Sequence, residues 1–108
     1  MNLHELAEER SLAYHRAVAA RIREHPEILA EARRRVATWI VEAGRSRHHA
    51  ATWREILERP VDEILRFLVD PGEEARELRQ STPFAGFIDA RERWRIWREV
   101  RERMMVAR

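Results

Sequence analysis

The sequence predicts an all-α fold, and three observations carry that prediction. Only three Gly and four Pro interrupt the 108 residues. The stretches between them are dominated by Ala, Leu, Glu and Arg, the strongest helix formers. No alternation of polar and apolar residues runs far enough to make a half-buried strand. The expectation is a single domain over 1–108, since domains usually run to ~100–150 residues. Its architecture is expected to be one irregular bundle of five or six helices, with an apolar loop before the C-terminal helix.

The first helix should start at Asn2, a good N-cap with Glu5 three residues on, as in a capping box. Leu3, Ala7, Tyr14, Val18 and Ile22 recur at helical spacing. His25-Pro26 ends the helix, because the residue before proline is pushed out of the α region. Pro26 suits the first turn of a second helix, whose stripe is Ile28, Leu29, Ala32, Val36, Trp39, Ile40 and Ala43. Gly44 would cap its end. Arg33, Arg34 and Arg35 fall mid-helix and are expected to point mostly to solvent.

A third helix carries Trp53, Ile56 and Leu57 and stops before Pro60; a fourth carries Val61, Ile64, Leu65 and Leu68. Asp70-Pro71-Gly72-Glu73 combines an N-cap, a proline at the first position and a capping-box Glu, opening a fifth helix that ends near Gln80. Asp89 and Glu92 repeat the capping pattern before a last helix to about Met105, roughly 25 Å at 1.5 Å per residue. Between these two lies Ser81-Thr82-Pro83-Phe84-Ala85-Gly86-Phe87-Ile88. It is a loop by its Pro and Gly, yet it holds three large apolar side chains, whereas loops are normally polar. It either latches the last helix to the core or contributes to a partner contact.

Composition narrows the chemistry. All 21 basic residues are Arg, and 16 of the 19 acids are Glu. Without Lys there is no Schiff-base amine and no phosphate-loop lysine. A GC-rich genome would produce the same bias; the functional reading is a use for forked guanidinium contacts to carboxylate or phosphate. The formal net charge is only +2, so the pI of 10.2 overstates how basic the surface is. With no Cys, disulfides, thiol nucleophiles and Cys-ligated zinc are excluded. The N-terminal MNLHELAEER lacks the apolar core of a signal peptide, and no apolar run approaches ~20 residues. A cytoplasmic location is expected.

No catalytic, cofactor-binding or metal-ligating residues are assigned, and the chain is not expected to be an enzyme. His4, His15 and His25 are too widely spaced for one ion, and the neighbours His48 and His49 do not face each other on a helix. Arg10 to His15 matches R-x4-H, a spacing used by helical HEPN-type ribonucleases. With 21 Arg and 5 His, the three spacings those ribonucleases use, R-x4-6-H, give about three matches by chance. A HEPN-like ribonuclease is therefore only a minor alternative. There is no nucleophile elbow and no Gly-rich phosphate cradle.

Nucleic-acid binding is the main alternative. Arg45, Arg47, His48, His49 and Arg54 form a basic stretch around Trp53. Glu55, Glu58, Asp62 and Glu63 follow directly and weaken a phosphate-binding face. The last helix is richer still: Arg91, Arg93, Arg95, Arg98, Arg101 and Arg103 outnumber its acids, with Arg108 beyond, and Trp94 and Trp97 sit among them. Trp and Arg dominate interface hot spots. A core helix with a solvated Arg face is the structural alternative.

Arg79-Gln80-Ser81-Thr82-Pro83-Phe84-Ala85-Gly86, followed by Arg93-Trp94-Arg95-Ile96-Trp97-Arg98, resembles a motif of short all-helical bacterial antitoxin-like proteins. The motif reads R-Q-S-x-P-F-A-G and then R-W-x-I. Leu68-Val69-Asp70-Pro71 with Glu73-Glu74-Ala75 is similar to the same family. Phe87-Ile88 replaces the family's Val-Leu, and Ala90 a common Pro. Members lie beside nucleotidyltransferase-type toxins of the abortive-infection class. The resemblance implies an antitoxin that neutralises a cognate toxin, of the nucleotidyltransferase type, by direct contact. The contact is expected from the unit 83–105, with Phe84, Phe87, Trp94, Trp97, Arg98 and Arg101 as partner-binding residues. A homodimer is expected for the free chain, since four Trp and an apolar loop are hard to hide in 108 residues.

Overall fold

The computed structural model describes residues 2–43 and 49–106. Among these residues the chain forms six helices and no strand: α1 Leu3–Glu24, α2 Ile28–Ala43, α3 Ala50–Leu57, α4 Val61–Leu68, α5 Glu73–Arg79 and α6 Ala90–Val106. Gly44, Arg45, Arg47, His48 and Arg108 lie outside the described residues.

Helix ends follow the side chains that can satisfy them. Asn2 Oδ1 accepts the His4 N–H at 2.8 Å, and Asp89 Oδ1 accepts the Glu92 N–H at 2.8 Å. Each cap thus satisfies one of the unpaired first-turn donors. The expected start of α5 is shifted. Asp70 Oδ1 takes the N–H of Gly72 at 2.7 Å, closing an Asx turn, and the helix begins only at Glu73 with Gly72 as N-cap.

α1 is the spine of the bundle. It packs along α6 and also touches α4 and α5, while α2 packs on α3. Its buried face is Leu6, Leu12, Tyr14, His15, Val18, Ala19 and Ile22. The predicted stripe was displaced at its start: Leu3 is 79% exposed and Leu6 takes the core position. One continuous core draws on all six helices, with Trp53 at 0% exposure among Ile56, Ile64, Leu68 and Phe84. The Trp53 indole N–H donates to Leu78 O at 3.1 Å and its ring meets Phe67 and Phe84 edge-on at 5.9 and 6.2 Å. Trp53 thereby ties α3 to α4, α5 and the 81–88 loop.

The apolar loop is a latch, and side chains from two helices satisfy its backbone. Tyr14 Oη donates to Phe84 O at 2.6 Å. Arg35 Nη1 donates to Pro83 O at 3.1 Å and also to Ala85 O. The Phe84 N–H donates to Thr82 Oγ1 at 3.1 Å. A loop can be buried only if its polar groups are paired in this way. Arg35, expected to point to solvent, instead grips the loop and lies 4.5 Å over the Phe87 ring. The chain then turns at Gly86, whose φ of +82° is costly for any residue with a Cβ.

His15 completes the latch. It is 1% exposed, with Nδ1 2.7 Å from Ser11 O and Nε2 2.8 Å from Thr82 Oγ1. A carbonyl can only accept, so Nδ1 carries the proton and Nε2 accepts from the Thr82 hydroxyl. That pattern requires the neutral ring. Burial, with Arg79 nearby, pushes the His15 pKa down to about 4, against a weaker opposing pull from its bond to Ser11. The folded pKa lies below the unfolded one, so the unfolded chain binds the extra proton. Stability is therefore complete above pH ~6.5 and falls as pH drops towards 4, by at most about 1.4 kcal/mol per unit. Chemical denaturation between pH 7 and 5 should show this decline. His15→Gln should be less stable at pH 7 but nearly flat over that range; an unchanged slope would place the acid sensitivity elsewhere.

Candidate protein-binding surface

α6 presents two different faces. Ile96 and Val100 are buried against α1, with Trp97 and Met104 packed beside them. On the opposite side, Arg91, Trp94, Arg98, Arg101 and Met105 are all exposed. Their spacing of three, four, three and four residues sets them in one stripe along the helix. Trp94 is 64% exposed and Met105 57%, which is unusual for side chains of this size.

The stripe is positive as well as apolar. Arg95 pairs with Glu92 and Glu99 at 3.7 and 4.0 Å, and Arg103 with Glu9 at 3.4 Å. Among the described residues, Arg91, Arg98 and Arg101 make no ion pair. No acid interrupts the five positions of the stripe. Shallow depressions flank Trp94 on both sides, one lined by Ala90, Arg93 and Trp97, the other by Asp89, Arg91, Glu92, Arg95 and Arg98.

The six residues expected to bind a partner thus separate into three groups. Trp94, Arg98 and Arg101 share the exposed stripe. Phe87 and Trp97 are half-buried: Phe87 lies beneath Arg35, and Trp97 meets Tyr14 edge-on at 6.2 Å with the Arg10 guanidinium 5.9 Å over its ring. Phe84 is fully buried, so its side chain is part of the core and offers nothing to a partner in this conformation. The loop is seated against Tyr14 of α1, Arg35 of α2 and Trp53 of α3, which turns Phe84 inward. The aromatic of the basic stretch is likewise lost to the core: Trp53 is fully buried, and His49 pairs with Glu77 at 3.3 Å. Of the R-x4-H pair, His15 has both ring nitrogens engaged and Arg10 has its Nε buried.

Arg91 and Met105 join the expected Trp94, Arg98 and Arg101 in the stripe, and the signal for them is the three-four helical spacing. Comparison with family models, curated proteins and solved structures found no match to this chain. No described helix is long and apolar enough to cross a membrane.

The two tryptophans of α6 should behave oppositely on truncation. Trp97→Ala removes packing against Tyr14 and Arg10 and should lower the melting temperature by roughly 5–15 °C, the equivalent of ~1–3 kcal/mol in a domain this size. Trp94→Ala should melt within ~2 °C of the parent, because its ring packs on little. Calorimetry on the two variants checks both.

Proposed function

We propose that the chain is an antitoxin-like protein-binding module whose docking surface is the outer stripe of α6. The observation that carries this reading is Trp94, a large aromatic left exposed within a row of arginines without ion-pair partners. An exposed Trp ringed by Arg is the composition of an interface hot spot. Its chemistry calls for a partner with an apolar pocket for the indole and carboxylates around it, since guanidinium forks bind carboxylates with paired hydrogen bonds. A nucleotidyltransferase-type toxin, the partner implied by the family resemblance, must carry carboxylates to hold Mg²⁺, so its mouth would be acidic.

A second copy of the chain fits this stripe less well. A twofold contact sets the same patch against itself. In an antiparallel pairing centred on Arg98 the two Arg98 guanidiniums would face each other, with no acid in the stripe to offset them. The apolar residues behind the homodimer expectation are also mostly used inside the fold, with Trp53 and Phe84 fully buried. The reading therefore assigns the stripe to an acidic heterologous partner.

The test is co-expression with the product of the adjacent reading frame, which this reading expects to be a nucleotidyltransferase-type toxin. The parent chain should bind the toxin and restore growth. Trp94→Ala should weaken binding roughly 30- to 1000-fold, the usual loss for a hot-spot anchor of ~2–4 kcal/mol. Arg98→Glu with Arg101→Glu should abolish rescue while the melting temperature holds. Normal rescue by both variants would remove the stripe from the interface. Salt-sensitive binding to promoter DNA without any protein partner would favour a nucleic-acid regulator instead.

A further inference from the structure

A second feature lies away from α6, where α1 and α5 diverge. His4, Ala7, Glu8 and Ser11 share one face of α1, and Arg76 and Arg79 share one face of α5, with Gln80 as its C-cap. Between them is a cleft of about 220 Å³. Arg79 forms its inner wall and is only 4% exposed.

Arg79 is a buried cation with two of its five N–H donors in use. Nη1 donates to Leu68 O at 3.3 Å and Asp70 O at 2.7 Å, closing the C-terminal end of α4. Among the described residues no other nitrogen of this guanidinium has a hydrogen-bond partner, and Nε is both buried and unpaired. Holding α4 needs only Nη1. Nε and Nη2 form the opposite, side-on edge of the fork, where two parallel N–H groups match the two oxygens of a carboxylate. Leaving a buried donor unmade is costly, and native proteins rarely tolerate it without a reason.

We propose that the α1–α5 cleft binds a single carboxylate group on Arg79, a small shift of the side chain bringing the buried Nε and the unpartnered Nη2 to its two oxygens.

The charges around the cleft match a monoanion. Arg76 and Arg79 face Glu8, which is held by His4 Nε2 at 2.9 Å and by Arg76 Nε at 3.7 Å. Two guanidiniums against one carboxylate leave one positive charge to be met. A dianionic phosphate would be repelled by Glu8 and over-neutralise the site. Asp70 and Arg16 also act on Arg79, with opposite signs. The Ser11 hydroxyl and Gln80 amide, both lining the cleft, supply neutral donors. The carboxylate could come from a small free acid or from an acidic side chain of another protein, and the recognising chemistry is the same.

NMR of the arginine Nε–H groups, with Arg79→Lys to assign the resonance, tests the site at constant ionic strength. Acetate and the capped peptide acetyl-Gly-Glu-Gly-amide are the two carboxylate probes; inorganic phosphate and chloride are the controls. Either carboxylate should shift the Arg79 Nε–H and the Ser11 and Gln80 amides saturably, with phosphate weaker. Tighter binding of the peptide by ~10-fold or more would identify a protein side chain as the source, and equal or tighter binding of acetate a small acid. Ala7→Leu fills the exposed mouth without touching a polar group, so it should weaken saturation by about 10-fold and leave the melting temperature in place. Shifts that chloride reproduces, saturation by phosphate at lower concentration than acetate, or indifference to Ala7→Leu in the folded variant would each overturn the proposal.

Discussion

Two adjacent side chains on α1 hold the remote end of the chain to the bundle. Tyr14 donates to the Phe84 carbonyl and His15 accepts from the Thr82 hydroxyl, across 70 and 67 residues of sequence. Thr82 in turn accepts the Phe84 N–H. These bonds seat Phe84 between Trp53 and Phe87, and the chain leaves that seat to enter α6. The direction of α6, and hence which of its faces meets solvent, depends on this clamp. Because the clamp uses a neutral imidazole, the price of burying it is a sensitivity to acid that a purely apolar contact would not have.

The arginine-only composition acquires a structural sense in this setting. Arg33 Nε donates to Leu57 O at 2.9 Å, Arg35 holds Pro83 and Ala85, Arg76 reaches Pro71 O at 3.2 Å, and Arg79 holds Leu68 and Asp70. Their targets are backbone carbonyls at helix ends and in loops, groups that ordinary helical hydrogen bonding leaves unpaired. Short helices have many such ends relative to their length, and α3, α4 and α5 are 8, 8 and 7 residues long. A branched planar donor on a long stem can reach two carbonyls at once, which a lysine cannot do with the same geometry. The expected targets of these forks, carboxylates and phosphates, account for only part of their use.

The same residue type serves a different purpose on α6. There the guanidiniums of Arg91, Arg98 and Arg101 stand in solvent around Trp94, with the helix's acids displaced to its flanks. Arginine lies over an aromatic inside the fold, Arg10 over Trp97 and Arg35 over Phe87. On α6 such a ring is left open to solvent. Trp94 and Trp97 are three residues apart, so they stand 60° apart around the helix axis by the usual 100° per residue. That rotation is enough to give one a packed environment and the other a wet one.

The helices themselves were determined locally. Asn2 and Asp89 cap where their side chains can reach the next turn, Pro26 and Pro60 interrupt where they must, and helix formers fill the intervals. Core stripes followed from periodicity, except where a short-range register competes, as with Leu3 and Leu6. Local signals misplaced the start of α5, because Asp70 can satisfy either an Asx turn or a helix N-terminus and only the chain's path selects between them. That the loop 81–88 must press its apolar residues against something was legible; that Tyr14, His15 and Arg35 would receive it was not. A hydrogen bond between residues dozens of positions apart leaves no periodic trace in a single sequence. For the same reason the sequence alone placed Phe84, Trp94 and Trp97 in one class, as large aromatics expected to bind a partner. Only the tertiary packing separated them into core, margin and exposed surface: Phe84 is covered by Trp53 of α3, and α1 covers the Trp97 side of α6 but not the Trp94 side.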